Sequence, residues 1–194
     1  MLRRTTLRAH EALITNLGPK SIVIVGLMGA GKTCVGRCLS AALGMPFIDA
    51  DHEIEAAAGC SIEDIFELYG EADFREGEVK VIKRLLGNGP QILATGGGAY
   101  MNTETRQSIH ENGVSIWLKA SLDILVKRTS RRGGRPLLNN SNPRDALEKL
   151  IGLRYPVYEL ADITIETGQE SVDITTGKVI EALENFANIT EKTE

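Results

Sequence analysis

The residues from Gly26 to Thr33, Gly-Leu-Met-Gly-Ala-Gly-Lys-Thr, carry the spacing G-x-x-x-x-G-K-[ST] at every fixed position. In such a loop, backbone N–H groups converge on phosphate oxygens at a helix N-terminus, where unpaired amides and the helix dipole already favour negative charge. Lys32 adds a cation near the β- and γ-phosphates, and the Thr33 hydroxyl is a candidate Mg²⁺ ligand. Asp49-Ala50-Asp51 sets two carboxylates at the end of a short predicted strand, and Gly96-Gly97-Gly98 ends another. Three consecutive glycines are costly in conformational entropy, and close approach of backbone to a ligand or another segment is the usual reason to keep them. Basic residues gather at Lys127, Arg128, Arg131, Arg132 and Arg135. Phosphoryl transfer needs phosphates held, charge neutralised, water excluded and an acceptor hydroxyl aligned. Three strand ends and one arginine cluster offer the residue types for all four.

The elements that must position these residues follow from apolar spacing and its punctuation. Ser21 to Val25 is a continuous, largely β-branched run suited to a buried parallel strand. Val35, Leu39 and Leu43, with Cys38 and Ala42, recur at helical spacing up to Gly44. Pro46 to Asp49 is a second short strand. Ser61, with Asp64 three residues on, opens a helix that stops at Gly70, and a further helix spans Glu71 to Leu86. Within it, Arg75 and Glu78 make an i, i+3 pair of the ordinary solvated kind, worth about a few tenths of a kcal/mol. Gln91 to Ala94 is a third strand, Asn102 to Gly113 a capped helix, Val114 to Leu118 a fourth strand and Ser121 to Thr129 a helix. Ser130 to Asn142 lacks apolar periodicity and carries arginines, which suits a lid closing on phosphates. Asn142-Pro143 caps a helix that includes Arg154 and breaks at Pro156; Ile163 to Glu166 is a fifth strand and Ser171 to Phe186 a last helix.

Five strands separated by helices leave no tight hairpins, so the expected fold is α/β, a three-layer α/β/α sandwich with a five-stranded parallel sheet. At strand C-terminal ends, the phosphate loop, the Asp49 and Asp51 pair and the glycine run share one crevice. The segment of about 51–86 reads as a helical substrate-binding insertion over it, and about 130–142 as the lid. Residues 1–20 read as an N-terminal extension, a short helix or frayed segment rather than a targeting peptide, with the domain from 21 to 186 and a polar tail from 187 to 194.

The 194 residues, 42% hydrophobic, suit one well-buried core. A net charge of −4 and a pI near 5.5 argue against a dedicated nucleic-acid binder. No apolar run approaches the roughly 18–20 residues of a membrane helix. Cys34, Cys38 and Cys60 are too few for a disulfide framework and lack metal-ligand spacing, which points to reduced thiols and a cytoplasmic protein.

Six motifs in order resemble the shikimate kinases: the phosphate loop, Asp49-x-Asp51, Gly70-Glu71-x-x-Phe74-Arg75-x-x-Glu78, Gly96-Gly97-Gly98, Arg135-Pro136-Leu137-Leu138 and Arg154-x-Pro156-x-Tyr158. The resemblance covers Ser21 to Thr167. It implies a P-loop NTPase-type kinase that phosphorylates the 3-hydroxyl of shikimate with ATP and Mg²⁺, in aromatic amino-acid biosynthesis. By that resemblance Lys32, Asp51 and Arg135 are catalytic, and Gly29, Ala30, Gly31, Lys32, Thr33, Cys34, Arg128 and Arg135 bind ATP, with Arg128 stacking on adenine. Asp51, Arg75, Gly97, Gly98 and Arg154 would bind shikimate, the two arginines pairing with its carboxylate. Thr33 would ligate Mg²⁺ and Asp49 would reach it through water. The expected partners are ATP and shikimate, with neither nucleic acid nor membrane, and the expected state is a monomer. The chain departs from the family's usual shape in the extension before Ser21.

Rival readings are a gluconate or nucleoside-monophosphate kinase, a non-catalytic nucleotide-binding regulator, and a polynucleotide kinase. Arg75 and Arg154, taken singly, are surface charges on regular helices; a small anionic acceptor gives both a reason. Intact Lys32, Asp51 and Arg135 argue against a regulator without turnover.

Overall fold

The run Ser21 to Val25 offers no polar face, so it is satisfied only inside a sheet covered on both sides. It forms strand β1 (Ser21–Val25), and all five of its residues are buried. The computed structural model of the chain describes residues 2–130 and 142–191. The other elements are α1 (Leu2–Leu17), α2 (Lys32–Leu43), β2 (Phe47–Asp49), α3 (Ala50–Ala58), α4 (Ile62–Leu86) and β3 (Ile92–Ala94). After a 3-10 turn at Ala99–Met101 come α5 (Thr103–Asn112), β4 (Gly113–Ala120), α6 (Leu122–Thr129), α7 (Pro143–Tyr158), β5 (Ile163–Thr167) and α8 (Val172–Glu191). Among the described residues five strands form one sheet in the order β2-β3-β1-β4-β5, every pair parallel. At its centre Ile22 faces Ile92 on one side and Val114 on the other. Helices α1, α2 and α8 pack on one another, while α5 packs on α4 and β4. The expected α/β architecture with a five-stranded parallel sheet is the one found.

Three local expectations change. Asp51 is not at a strand end, because helix α3 begins directly after Asp49; its sparse apolar content, Ile54 among alanines, concealed it. The break expected at Gly70 is present: α4 is two helices in series, with Gly70 at φ 84° and ψ 176° outside helical geometry between them. Pro156 does not end α7, which continues to Tyr158. Its missing N–H removes one backbone bond, and the hydroxyls of Tyr155 and Tyr158, donating to Ala120 O and Gly97 O, hold the last turn in place. The tail expected from residue 187 starts later, since α8 runs to Glu191 and Ala187 is buried.

The N-terminal extension is helical. Leu13 and Leu17 of α1 are buried in the common core, and His10 Nδ1 donates to Ala42 O at 3.0 Å near the C-terminal end of α2. The segment 131–141, with Arg131, Arg132 and Arg135 and most of the expected lid, lies outside the described residues.

Candidate active site

Wrapping backbone amides around a phosphate takes turns that only glycine adopts without strain. In the loop after β1, Gly29 has φ 81° and Gly31 φ 106°, and Lys32 opens α2. Lys32 Nζ folds back over the loop, donating to Gly26 O at 2.8 Å and Leu27 O at 3.1 Å. Thr33 Oγ1 donates to Asp49 Oδ2 at 3.0 Å, so α2 and β2 present two hard oxygens side by side. Arg128 of α6 crosses to the same loop: its Nη1 donates to Gly29 O at 3.3 Å and Ala30 O at 3.1 Å, and Nη2 to Gly168 O at 2.6 Å. Guanidinium donors lie in the plane of the group, so these bonds leave its flat face for stacking.

Asp49 also caps α3, its Oδ1 accepting from Asp51 N at 3.2 Å. That cap fixes Asp51 in the first helical turn, beside the glycine run that follows β3. A Cβ at Gly96 would lie 2.8 Å from both Asp51 Oδ1 and Glu78 Oε1, and one at Gly98 would lie 2.5 Å from Arg75 Nη1. Glycine at these positions lets charged side chains of α3 and α4 reach the backbone itself. From α7, Arg154 Nη1 donates to Gly97 O at 2.7 Å, and Tyr158, one turn on, donates its hydroxyl to the same oxygen. The glycine run is therefore flanked by Arg75 on one side and Arg154 on the other. Loop, acids, glycines and arginines line one cleft of about 1040 Å³.

Charge in the acceptor end of this cleft is tightly packed. Glu78 is only 1% exposed, so its pairing with Arg75 Nη1 at 2.8 Å is a buried contact and not the solvated one that its i, i+3 spacing suggests. Glu71 meets the same arginine at 3.2 Å from an exposed position. Glu78 Oε1 is buried and has no hydrogen-bond partner among the described residues. Burial pushes the Glu78 carboxyl above its ordinary range, with the adjacent Arg75 opposing. Burial likewise raises Asp51; Lys32 pulls it back, while Asp49 and Glu55 add to the rise. The buried Tyr158 hydroxyl is pushed up to about 12.

Of the residues singled out from sequence, Gly29 to Cys34, Asp49, Asp51, Arg75, Gly97, Gly98, Arg128 and Arg154 all line the one cleft. Arg135 is outside the described residues. Glu78 and Tyr158 were missed as site residues. The signal for Glu78 was available: it sits in the apolar stripe Phe74, Val81, Ile82 and Leu85, all buried, and a carboxylate inside such a stripe needs a partner.

The family model described as Shikimate kinase matches residues 28–184. The shikimate kinase of Mesorhizobium japonicum is 51% identical over 172 residues, covering 89% of this chain and 85% of that protein. A solved structure, shikimate kinase from Acinetobacter baumannii in complex with shikimate, aligns with a TM-score of 0.82 and 39% identity over 89% of this chain and 95% of that one. A gluconokinase from Sinorhizobium meliloti aligns with a TM-score of 0.64 and 20% identity over 91% of this chain and 98% of that one, a likeness of fold alone. With the family model spanning most of its length and a relative at half identity, the chain belongs to the shikimate kinase family.

Proposed function

We propose that this chain transfers the γ-phosphoryl group of ATP to the 3-hydroxyl of shikimate, releasing ADP and shikimate 3-phosphate for aromatic amino-acid biosynthesis. The observation that carries this reading is the glycine run set between two guanidinium groups, with Asp51 beside it and the phosphate loop in the same cleft. In it, the backbone of Gly29 to Cys34 cradles the phosphates and Lys32 neutralises their charge. Arg128 fixes the loop and offers its face to adenine. Arg75 and Arg154 receive the shikimate carboxylate, for which the planar fork is suited. Gly97 and Gly98 lay their backbone along the ring. Asp51 aligns the attacking hydroxyl and takes its proton as the new P–O bond forms and the bond to the ADP oxygen breaks. A carboxyl raised by burial is the better proton acceptor, although a loose phosphoryl transition state asks little of a base.

Thr33 and Asp49 fit Mg²⁺: their oxygens are adjacent, hard and 3.0 Å apart, a partial shell of the kind that water and phosphate oxygens complete. Among the described residues no cluster of three His, Cys, Asp or Glu could hold a metal alone. In this reading Thr33 would ligate the ion directly and Asp49 would hold it through water. Bound there, Mg²⁺ would neutralise charge on the transferring phosphoryl group.

The deciding assay measures ADP release from Mg·ATP with shikimate, gluconate or nucleoside monophosphates offered separately. Turnover confined to shikimate is the expected result. Comparable turnover on gluconate, or none on shikimate, overturns the reading.

A further inference from the structure

Asp51 and Arg75 belong to different helices, so their spacing depends on how α3 sits against α4. Only Gly59, Cys60 and Ser61 connect the two, with Gly59 at φ 72° closing α3. Two N–H groups in the first turn of α4 are claimed by side chains. Ser61 Oγ accepts from Asp64 N at 3.1 Å, a contact within the cap itself. Glu55 Oε1 accepts from Ile62 N at 3.1 Å, reaching from α3 across to α4. Glu55 is one helical turn beyond Asp51 and lines the same cleft. A carboxylate on the unpaired amide of a helix N-terminus is favoured by both the hydrogen bond and the helix dipole. Among the described residues, the other ion pair between these helices, Arg84 to Glu53 at 3.1 Å, is 55% and 37% exposed and is the kind of pair that holds little.

We propose that Glu55 is a positioning residue for the acceptor, locking α3 onto the first turn of α4 through the Ile62 N–H and so setting Asp51 against Arg75. Glu55 needs no contact with substrate to do this. Its loss lets the two helices shift relative to one another, and the acceptor site loses its shape while the phosphate loop, on β1 and α2, keeps its own.

The inference rests on the shikimate reading, so shikimate and ADP binding are measured by calorimetry alongside turnover. Wild-type protein that fails to bind shikimate sinks that reading, whereas the Glu55 variants bear on the inference alone. Glu55→Ala should weaken shikimate binding about tenfold or more, because misplacement of a binding group on the order of 1 Å is enough to do so, and leave ADP affinity unchanged. Glu55→Gln retains the Oε1 acceptor and should restore shikimate affinity to near wild type. Glu55→Asp is too short to reach Ile62 and should behave like alanine. Ser61→Ala, which cuts the cap without touching the α3–α4 link, should lower Tm but not shikimate affinity. Equal defects in the Gln and Ala variants, unchanged shikimate affinity in Glu55→Ala, or matched losses for both ligands would overturn the proposal.

Discussion

In the donor half of the cleft, the loop between β1 and α2 presents chiefly backbone, whereas the acceptor half is a convergence of side chains from α3, α4 and α7 around three glycines. The first is a local object. Eight consecutive residues suffice, and their geometry depends on positive φ at Gly29 and Gly31. The second is assembled across the chain, and its charges are packed where water is scarce: Glu78 is buried beside Arg75, with one oxygen lacking a hydrogen-bond partner among the described residues. Backbone recognition of phosphate is stable and general; buried side-chain recognition of an acid is selective and strained. Substrate choice therefore resides in the half that weakens the fold.

This division can be broken or sharpened by variants that act on one half at a time. Lys32→Ala should have the largest effect, lowering kcat on the order of 10²- to 10³-fold through loss of a transition-state cation, with shikimate affinity intact; a parallel loss of shikimate affinity would show that the halves are not separable. Arg154→Ala should raise KM for shikimate roughly 10- to 100-fold, the worth of a charged hydrogen-bonded contact, while calorimetry with ADP finds no change.

A smaller effect, of opposite sign in stability, is expected from Glu78→Gln. Burial holds the Glu78 carboxyl above its ordinary value, so the folded state favours the protonated form. That stabilisation is present below the ordinary carboxylate range and disappears as pH rises through the higher folded value. At neutral pH the glutamine variant should therefore melt higher than wild type, by about 2–4 °C for each kcal/mol recovered in a chain of this size. The gap should close toward about pH 4, where the unfolded carboxyl titrates. KM for shikimate should rise several-fold as Arg75 loses its charged anchor. A lower Tm at neutral pH would mean that the ion pair outweighs its burial. Least of all should come from Lys80→Ala, which removes an exposed i, i+4 pair with Glu76 on the same helix; neither KM nor Tm should move measurably.

The contrast also explains what could be read from residue order. The phosphate loop, the apolar run of β1 and the capping box at Ser61 are contiguous signals, and each sits where it was expected. Helix α3 was not told apart from the rest of the helical insertion because Ile54 and alanines make a weak stripe, and Asp49 serves as its cap as well as being a candidate ligand. The Arg75–Glu78 spacing is the same on a wet face and a buried one, so only the surrounding apolar stripe could tell them apart. Pro156 signals a helix end by local rules, but two tyrosine hydroxyls anchored on Ala120 and Gly97 override it. The flanking of the glycine run by Arg75 and Arg154, far apart in the chain, is a property of the tertiary fold. Only family resemblance pointed to it in advance.

The sheet order has a consequence for how the chain is made. The central strand leaves the ribosome before both of its neighbours, and Ile22 must wait for Ile92 on one side and Val114 on the other. At typical synthesis rates that is a delay on the order of 5–20 s, during which Ser-Ile-Val-Ile-Val is an unpaired apolar strand of the kind that other chains can capture. The segment that anchors the donor site is thus the one most in need of protection during synthesis, and a chaperone that shields nascent chains should matter more to the yield of this protein than its final stability would suggest.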